Sequence, residues 1–306
     1  MKQQFDIVHR KHWFFILSSL ITVAGLIVFA VRGFNLGTDF KAGSRVQIEL
    51  NSPVKTSTVV SMFNQLHIPI VPQDVTVAGI RGDTAVIRLP KILTPAQVAS
   101  VNTATKSTFP QSVTPRIDTV DPIVAQQTSQ KAVWSVLLAS LFIVIYVAIR
   151  FEYRFAVAGI IALLHDAFIV MSVFALLHLE VDLTFIAAVL TIVGYSINDT
   201  IVIFDRIREN LKMAMPKDQK SLQNLVNKSL WQTMSRSINT VITVLIAAVV
   251  LYFFGGESIH NFTFALIVGL VSGAYSSIFI ASQIWVLWRG RSLAKAPHQS
   301  VAGAQE

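Results

Sequence analysis

The side chains in this sequence that could do chemistry are few, and most of them interrupt long apolar runs. Asp199 lies in Tyr195-Ser196-Ile197-Asn198-Asp199-Thr200, inside a run that is otherwise apolar. His165 and Asp166 sit side by side near the middle of a second run, and Asp205 follows Asp199 by a turn and a half. Arg236 belongs to a set, Gln232, Arg236, Asn239, Thr240 and Thr243, whose spacings of three and four put it on one helical face. Such a polar stripe must face protein or water, because unsatisfied polar groups in hydrocarbon are expensive. Ionisable groups in the same surroundings usually face a bundle interior or a water path. The chemistry open to them is proton binding and release: desolvation favours the neutral form of a carboxyl, and a nearby cation favours the charged form. Asp199 and Arg236 fall at similar depth and are expected to pair, with Asn198, His165, Asp166 and Asp205 as further members of a proton relay. The alternative for Asp199 is a hydrogen-bonded structural carboxylate. For Asp205, Arg206, Arg208 and Glu209 it is a solvated helix end.

The elements that must position these residues are membrane helices. Hydrophobic residues make up 53% of the 306 positions and charged residues 14%, against about 25% charged in soluble chains. The apolar residues fall in blocks near the length that crosses a bilayer: 13–31, 132–149, 155–177, 183–204, 238–254 and 262–288. The first block is too long for the apolar part of a signal peptide and lacks a small-residue cleavage site, so it reads as a retained helix. Within the last block Gly269 and Gly273, extended by Ser272, Ser276 and Ser277, read as a surface for close helix packing.

Basic residues predict the orientation, because Lys and Arg concentrate in short cytoplasmic loops. Lys2, Arg10 and Lys11, then Arg150 and Arg154, then Arg206 through Arg236, then Arg289 and Arg291 all fall on one side, expected to be cytoplasmic. The turns at 178–182 and 255–261 contain neither Lys nor Arg. The net charge of +8 therefore reports topology and contact with anionic lipid. Nucleic-acid binding is not expected, since the basic residues flank helix ends and do not share an aromatic face.

Between the first two blocks the pattern changes. Strand-like runs at 45–50, 74–80, 84–89 and 113–120 alternate with helical ones at 56–66 and from Pro95 to about Lys106, with a hairpin through Arg81-Gly82-Asp83. The order β-α-β-β-α-β is that of ferredoxin-like domains. The expected fold class is thus a polytopic α-helical membrane protein with one extracytoplasmic α+β domain. Its segments are residues 1–32 (cytoplasmic N-terminus and first helix), 33–130 (the α+β domain), 131–290 (a five-helix bundle) and 291–306 (a disordered cytoplasmic tail). With no cysteine, thiol redox chemistry, disulfides and Cys-ligated metal centres are excluded. No G-x-x-x-x-G-K-[ST] loop occurs, so direct use of ATP is not expected.

Several stretches resemble the SecD/SecF family. Gly37-Thr38-Asp39-Phe40-Lys41-Ala42-Gly43 is similar to the G-x-D-F-x-x-G element shared by SecD and SecF. Arg150-Phe151-Glu152, Leu163-Leu164-His165-Asp166, the run from Gly194 to Thr200 and on through Phe204-Asp205-Arg206-Ile207-Arg208-Glu209-Asn210, Ser229-Leu230-Trp231-Gln232-Thr233 and Phe253-Phe254-Gly255-Gly256 resemble SecF. The resemblance, which covers nearly the whole chain in order, implies kinship with RND-type transporters. It also implies a subunit that works with SecD, uses the proton-motive force and promotes preprotein export through SecYEG. The partners implied are SecD, SecYEG, YajC, a YidC-like insertase and the preprotein itself, in a bacterial cytoplasmic membrane. No cofactor is implied, and protons are the coupling ion. Two other classes remain open on the residues alone: a stand-alone RND-like exporter of small hydrophobic molecules, which calls for about twice as many helices, and a passive assembly factor whose polar stripe only cements a complex.

Overall fold

The computed structural model describes residues 6–79, 81–216 and 218–295. Among the described residues six helices are long and apolar enough to cross a membrane. They are α1 (Lys11–Arg32), α5 (Pro122–Arg150), α6 (Tyr153–Leu177), α7 (Leu183–Ala214), α8 (Gln219–Phe254) and a composite sixth span. That last span runs through α9 (His260–Ser276), a π-helical turn (Ser277–Ala281) and α10 (Ser282–Lys295). Their starts follow local chemistry. Asp121 caps α5 through the Ile123 amide with Pro122 at the first position, Asp182 caps α7 through Phe185, and Asp218 caps α8 through Ser221.

Hydropathy finds only the apolar part of these helices. The α7 helix continues ten residues past the expected limit at Phe204, and α8 begins at Gln219, well ahead of the expected 238. What read as a long loop is therefore a helical hairpin closed near Met215. Ile207, Leu222, Leu225, Val226 and Leu230 are buried there against Phe204 and Trp285, so amphipathic packing extends both helices beyond the apolar run. Likewise α5 starts at Pro122 and α10 runs to Lys295, into segments expected to be domain and tail. The disorder expected of the tail concerns residues 296–306, which lie outside the described ones, as do Lys2, Ile80 and Lys217.

Between α1 and α5 stands the α+β domain. It contains β2 (Gly43–Glu49), α3 (Thr56–Gln65), β3 (Val75–Ala78), β4 (Thr84–Leu89), α4 (Pro95–Thr108) and β5 (Arg116–Val120). The strand order is β3-β4-β2-β5, antiparallel throughout, with Val46 opposite Ile87 and Ile117. Thr94 and Gln97 close a capping box on α4. Val46, Ile48, Phe63, Ile87 and Val101 form the core. The last strand is shorter than expected, but Val113 still donates its amide to Glu49.

Two further elements tie this domain to the bundle: β1 (Asn35–Leu36), parallel to β6 (Glu180–Val181), and the short α2 (Thr38–Lys41). Gly43 leaves α2 with φ +117°, and a Cβ there would lie 2.1 Å from the Leu89 carbonyl oxygen, so glycine is required.

Within the bundle the composite sixth span is the most buried, while α1 and α5 turn Trp13, Ile16, Leu20, Trp134 and Phe142 outward, as a lipid-facing surface demands. Gly269 and Gly273 do let α9 approach α7: a Cβ at Gly269 would sit 2.3 Å from Ile192. Gly269→Leu should therefore cost about 1–3 kcal/mol through overpacking. Gly194→Ala, with no atom within 4 Å of the added carbon, should be tolerated. Thermal melts in detergent check this, and equal melting of the two variants would contradict the packing described.

Candidate functional site

Two apolar clusters fill the bundle, and a polar layer separates them. Phe174, Phe185, Val189, Ala265 and Leu266 lie toward the α+β domain, and Phe155, Phe204, Ile207, Ile278 and Trp285 toward the other end. Asp166 of α6 occupies the layer between and is completely buried. Ser196 of α7 and Ser276 of α9 each donate to its Oδ2 at 2.6 Å, and Ser272 donates to Oδ1 at 2.7 Å. His165 Nδ1 lies 3.3 Å from Oδ1, and its Nε2 is 2.7 Å from the Ser18 hydroxyl of α1. With Nδ1 donating to the carboxylate, Nε2 is left to accept from Ser18. Asp166 thus joins α6, α7 and α9, and His165 adds α1. The serines of α9 read in sequence as small packing residues; their four-residue spacing is the signal that both face one acceptor.

Asp199 lies one turn along α7 from Ser196 and is treated quite differently. It is buried, at 9% exposure, and its Oδ2 has no hydrogen-bond partner. Among the described residues no ion pair joins it to Arg236, contrary to the expectation of a direct pair. The Arg236 charge reaches it at longer range and Ser237 lies alongside. Asp199 sits in a groove with Tyr195, Asn198, Thr240 and Gly273, between α7, α8 and α9. Asn198, Arg236, Asn239, Thr240 and Thr243 are all exposed on this side of the chain. The hydroxyls of Thr240 and Thr243 turn back to the carbonyls of Arg236 and Thr240. The stripe therefore faces outward from this chain, at the mouth of the groove that holds Asp199.

The remaining candidates belong to a third place. Asp205 pairs with Arg150 at 2.8 Å and Arg208 at 3.4 Å, all partly exposed, within an α7 that runs on to Ala214. Gln232 departs from the rest of its stripe, accepting from Arg206 at 2.6 Å and Asn210 at 2.8 Å, and so ties α8 to α7. Asp205 and Gln232 are not brought to Asp199.

Sequence reading missed a further cluster at the domain seam, where Arg88 of β4 meets the buried Glu180 at 2.5 Å and Asp39 accepts the Leu183 amide at 3.0 Å. Burial pushes the adjacent Asp182 carboxyl up from its usual value, against the hydrogen bonds from Thr184 and Phe185. Glu180 and Asp39 raise it further. Among the described residues no group of three His, Asp or Glu side chains could hold a metal ion.

Replacing Asp166 by Ala removes the acceptor shared by three serine hydroxyls and His165, and should lower stability by at least ~2 kcal/mol. Asp205→Asn breaks a half-exposed pair and should cost no more than about 1 kcal/mol. Unfolding in detergent measures both, and the reverse order would contradict these assignments.

Known proteins match this arrangement along its whole length. Residues 27–54 match the SecD/SecF GG motif, and residues 100–291 match the C-terminal region of the protein export membrane proteins SecD/SecF. The protein translocase subunit SecF of Alicyclobacillus acidocaldarius is 61% identical over 97% of this chain and 96% of its own length. The subunit SecDF of Bacillus subtilis is 45% identical over 96% of this chain but 39% of its own length. The crystal structure of SecDF from Thermus thermophilus, a translocon-associated membrane protein, superposes with a TM-score of 0.84 at 32% identity, over 95% of this chain and 39% of that one. A second SecDF structure, described as super-membrane-facing, gives 0.67 at 30% identity. By family models and relatives alike, the chain belongs to the SecD/SecF family of protein-export membrane proteins.

Proposed function

We propose that this chain is the SecF-type subunit of the Sec translocase, working with SecD to couple the proton-motive force to preprotein export through SecYEG. The observation that carries the reading is the contrast between the two buried carboxylates. Asp166 is held by donors on every side, whereas Asp199 keeps an oxygen without a partner at the floor of a groove that opens onto a polar stripe. Asp166 serves as an anchor and Asp199 as the proton-responsive group. Arg236, near enough for its charge to be felt but not bonded, sets which protonation state is favoured as its distance changes. A unit charge crossing 100 mV carries about 2.3 kcal/mol, enough to bias a two-state movement of the bundle.

The exposed stripe supports SecD as the neighbour, since Arg236 and Asn239 cannot face hydrocarbon without a polar partner. The membrane is read as the bacterial cytoplasmic membrane, with both termini inside. Supporting that orientation, the Arg-rich helix ends lie opposite the α+β domain, and 178–182 and 255–261, beside the domain, carry no Lys or Arg. SecYEG, YajC, a YidC-like insertase and the preprotein complete the proposed partners. A passive assembly factor predicts that Asp199 only cements the bundle.

Asp199→Asn separates these readings. In proteoliposomes with SecD it should assemble normally and lose proton-dependent stimulation of export. Full stimulation would overturn the assignment, and loss of folded protein would favour the passive role. Because the chain has no cysteine, single replacements report sidedness cleanly. Asp83→Cys should react with an impermeant thiol reagent from outside and Lys220→Cys should not; the opposite pattern would reverse the orientation.

A further inference from the structure

We infer that Asp39 and the Arg88–Glu180 pair are positioning residues that fasten the α+β domain to the N-terminus of α7, the helix carrying Asp199. This rests on the proton-responsive reading of Asp199 and assigns the parts that carry its state out of the membrane.

The argument begins with the covalent route. The chain leaves α1 at Gly33, forms β1 beside β6, and turns through α2 into the central strand β2 of the domain sheet. At that turn Asp39 reaches across to accept the Leu183 amide at 3.0 Å. Leu183 is the first residue of α7, whose leading amides have no partners within the helix. The α7 helix is therefore capped twice, by its own Asp182 and by a carboxylate from the domain root. A negative group is favoured at that helix end by its dipole.

Two residues before Asp182, Glu180 is buried and receives Arg88 from β4 at the far side of the same root. Gly37 makes this possible: a Cβ there would stand 2.5 Å from Glu180 Oε1. The Gly37 amide donates to Val181 at 2.9 Å, and Asn261 donates to the Glu180 carbonyl at 3.1 Å. An exposed bond from Arg116 to Ser258 is a further link. Beside these contacts a cleft of about 670 Å³ separates domain from bundle, bordered by Thr76, Val77, Lys41, His178 and Glu257. The domain is thus held at its root and has free space alongside, the arrangement of a lever fixed at one end. A small axial or rotational step of α7 moves Leu183 and Glu180 directly, and through them both ends of the sheet root.

The test is a coupling cycle read as a distance, because only a coupling energy distinguishes transmission from proximity. Spin labels on Lys106→Cys in α4 and Phe254→Cys at the end of α8 report the domain against the bundle, in the full chain paired with SecD in proteoliposomes. Asp199→Asn should shift the distance distribution in the parent. The shift should disappear with Asp39→Ala and return with Asp39→Asn, whose side-chain oxygen still accepts the Leu183 amide. Arg88→Gln gives the second test through the other fastening, and should also diminish the shift, so failure of one variant to fold leaves the other decisive. A full shift in Asp39→Ala or in Arg88→Gln overturns the role of that fastening while leaving the reading of Asp199 intact. No shift in the parent overturns the proton-responsive reading and this inference with it.

Discussion

A carboxylate in the middle of a bilayer has no water to turn to, so the helices around it must supply every hydrogen bond it needs. Asp166 imposes that demand on this bundle. Its two oxygens take donors from α7 and α9, and its neighbour His165 reaches α1. Slippage of any of these helices by a turn would leave a buried polar group unmatched. The register of four helices is thereby set at one level, between the two apolar clusters. The close approach of α9 to α7 at Gly269 and Gly273 serves the same end, since only glycine lets Ser272 and Ser276 come within reach while Ile192 and Ser196 stand opposite.

Asp199 gains its meaning from that rigid layer. One turn away on the same helix, it shares the burial of Asp166 but not its partners. A bundle that satisfies one carboxylate so completely, and leaves the next with a buried oxygen that has no partner, gives the two different surroundings, and that difference is the ground for proposing one as anchor and the other as proton-responsive. The polar stripe of α8 borders that groove and is turned away from the rest of this chain, which is why a neighbour is proposed beside it. The two SecDF structures match this chain with TM-scores of 0.84 and 0.67 at nearly equal identity and coverage. The matching regions of these two structures thus differ in shape from one another.

Much of this was legible in the sequence because it follows from local chemistry. Period and turn residues marked the β-α-β-β-α-β order, Thr94-Pro95 marked the start of α4, and apolar length marked six spans. The limits of α7 and α8 were not legible, because their last and first turns are amphipathic and are stabilised by packing that includes Trp285, distant in the chain. Ser272 and Ser276 carry the same side chain whether they pack or donate, and only the position of Asp166 across the bundle decides between the two. The expected ion pair of Asp199 with Arg236 rested on equal depth. Depth says nothing of which way a side chain turns, and Arg236 turns outward. Asp39 was visible as part of a motif, but its acceptor role depends on residue 183, brought near only by the fold.

The central claim is that Asp199 is the proton-responsive carboxyl of the bundle. Infrared difference spectroscopy of the chain paired with SecD, recorded across pH, observes the carbonyl stretch of a protonated carboxyl directly. A band that grows on acidification should be present in the parent and in Asp166→Asn, and absent in Asp199→Asn. A titrating band that survives Asp199→Asn and vanishes in Asp166→Asn would contradict the assignment of anchor and switch.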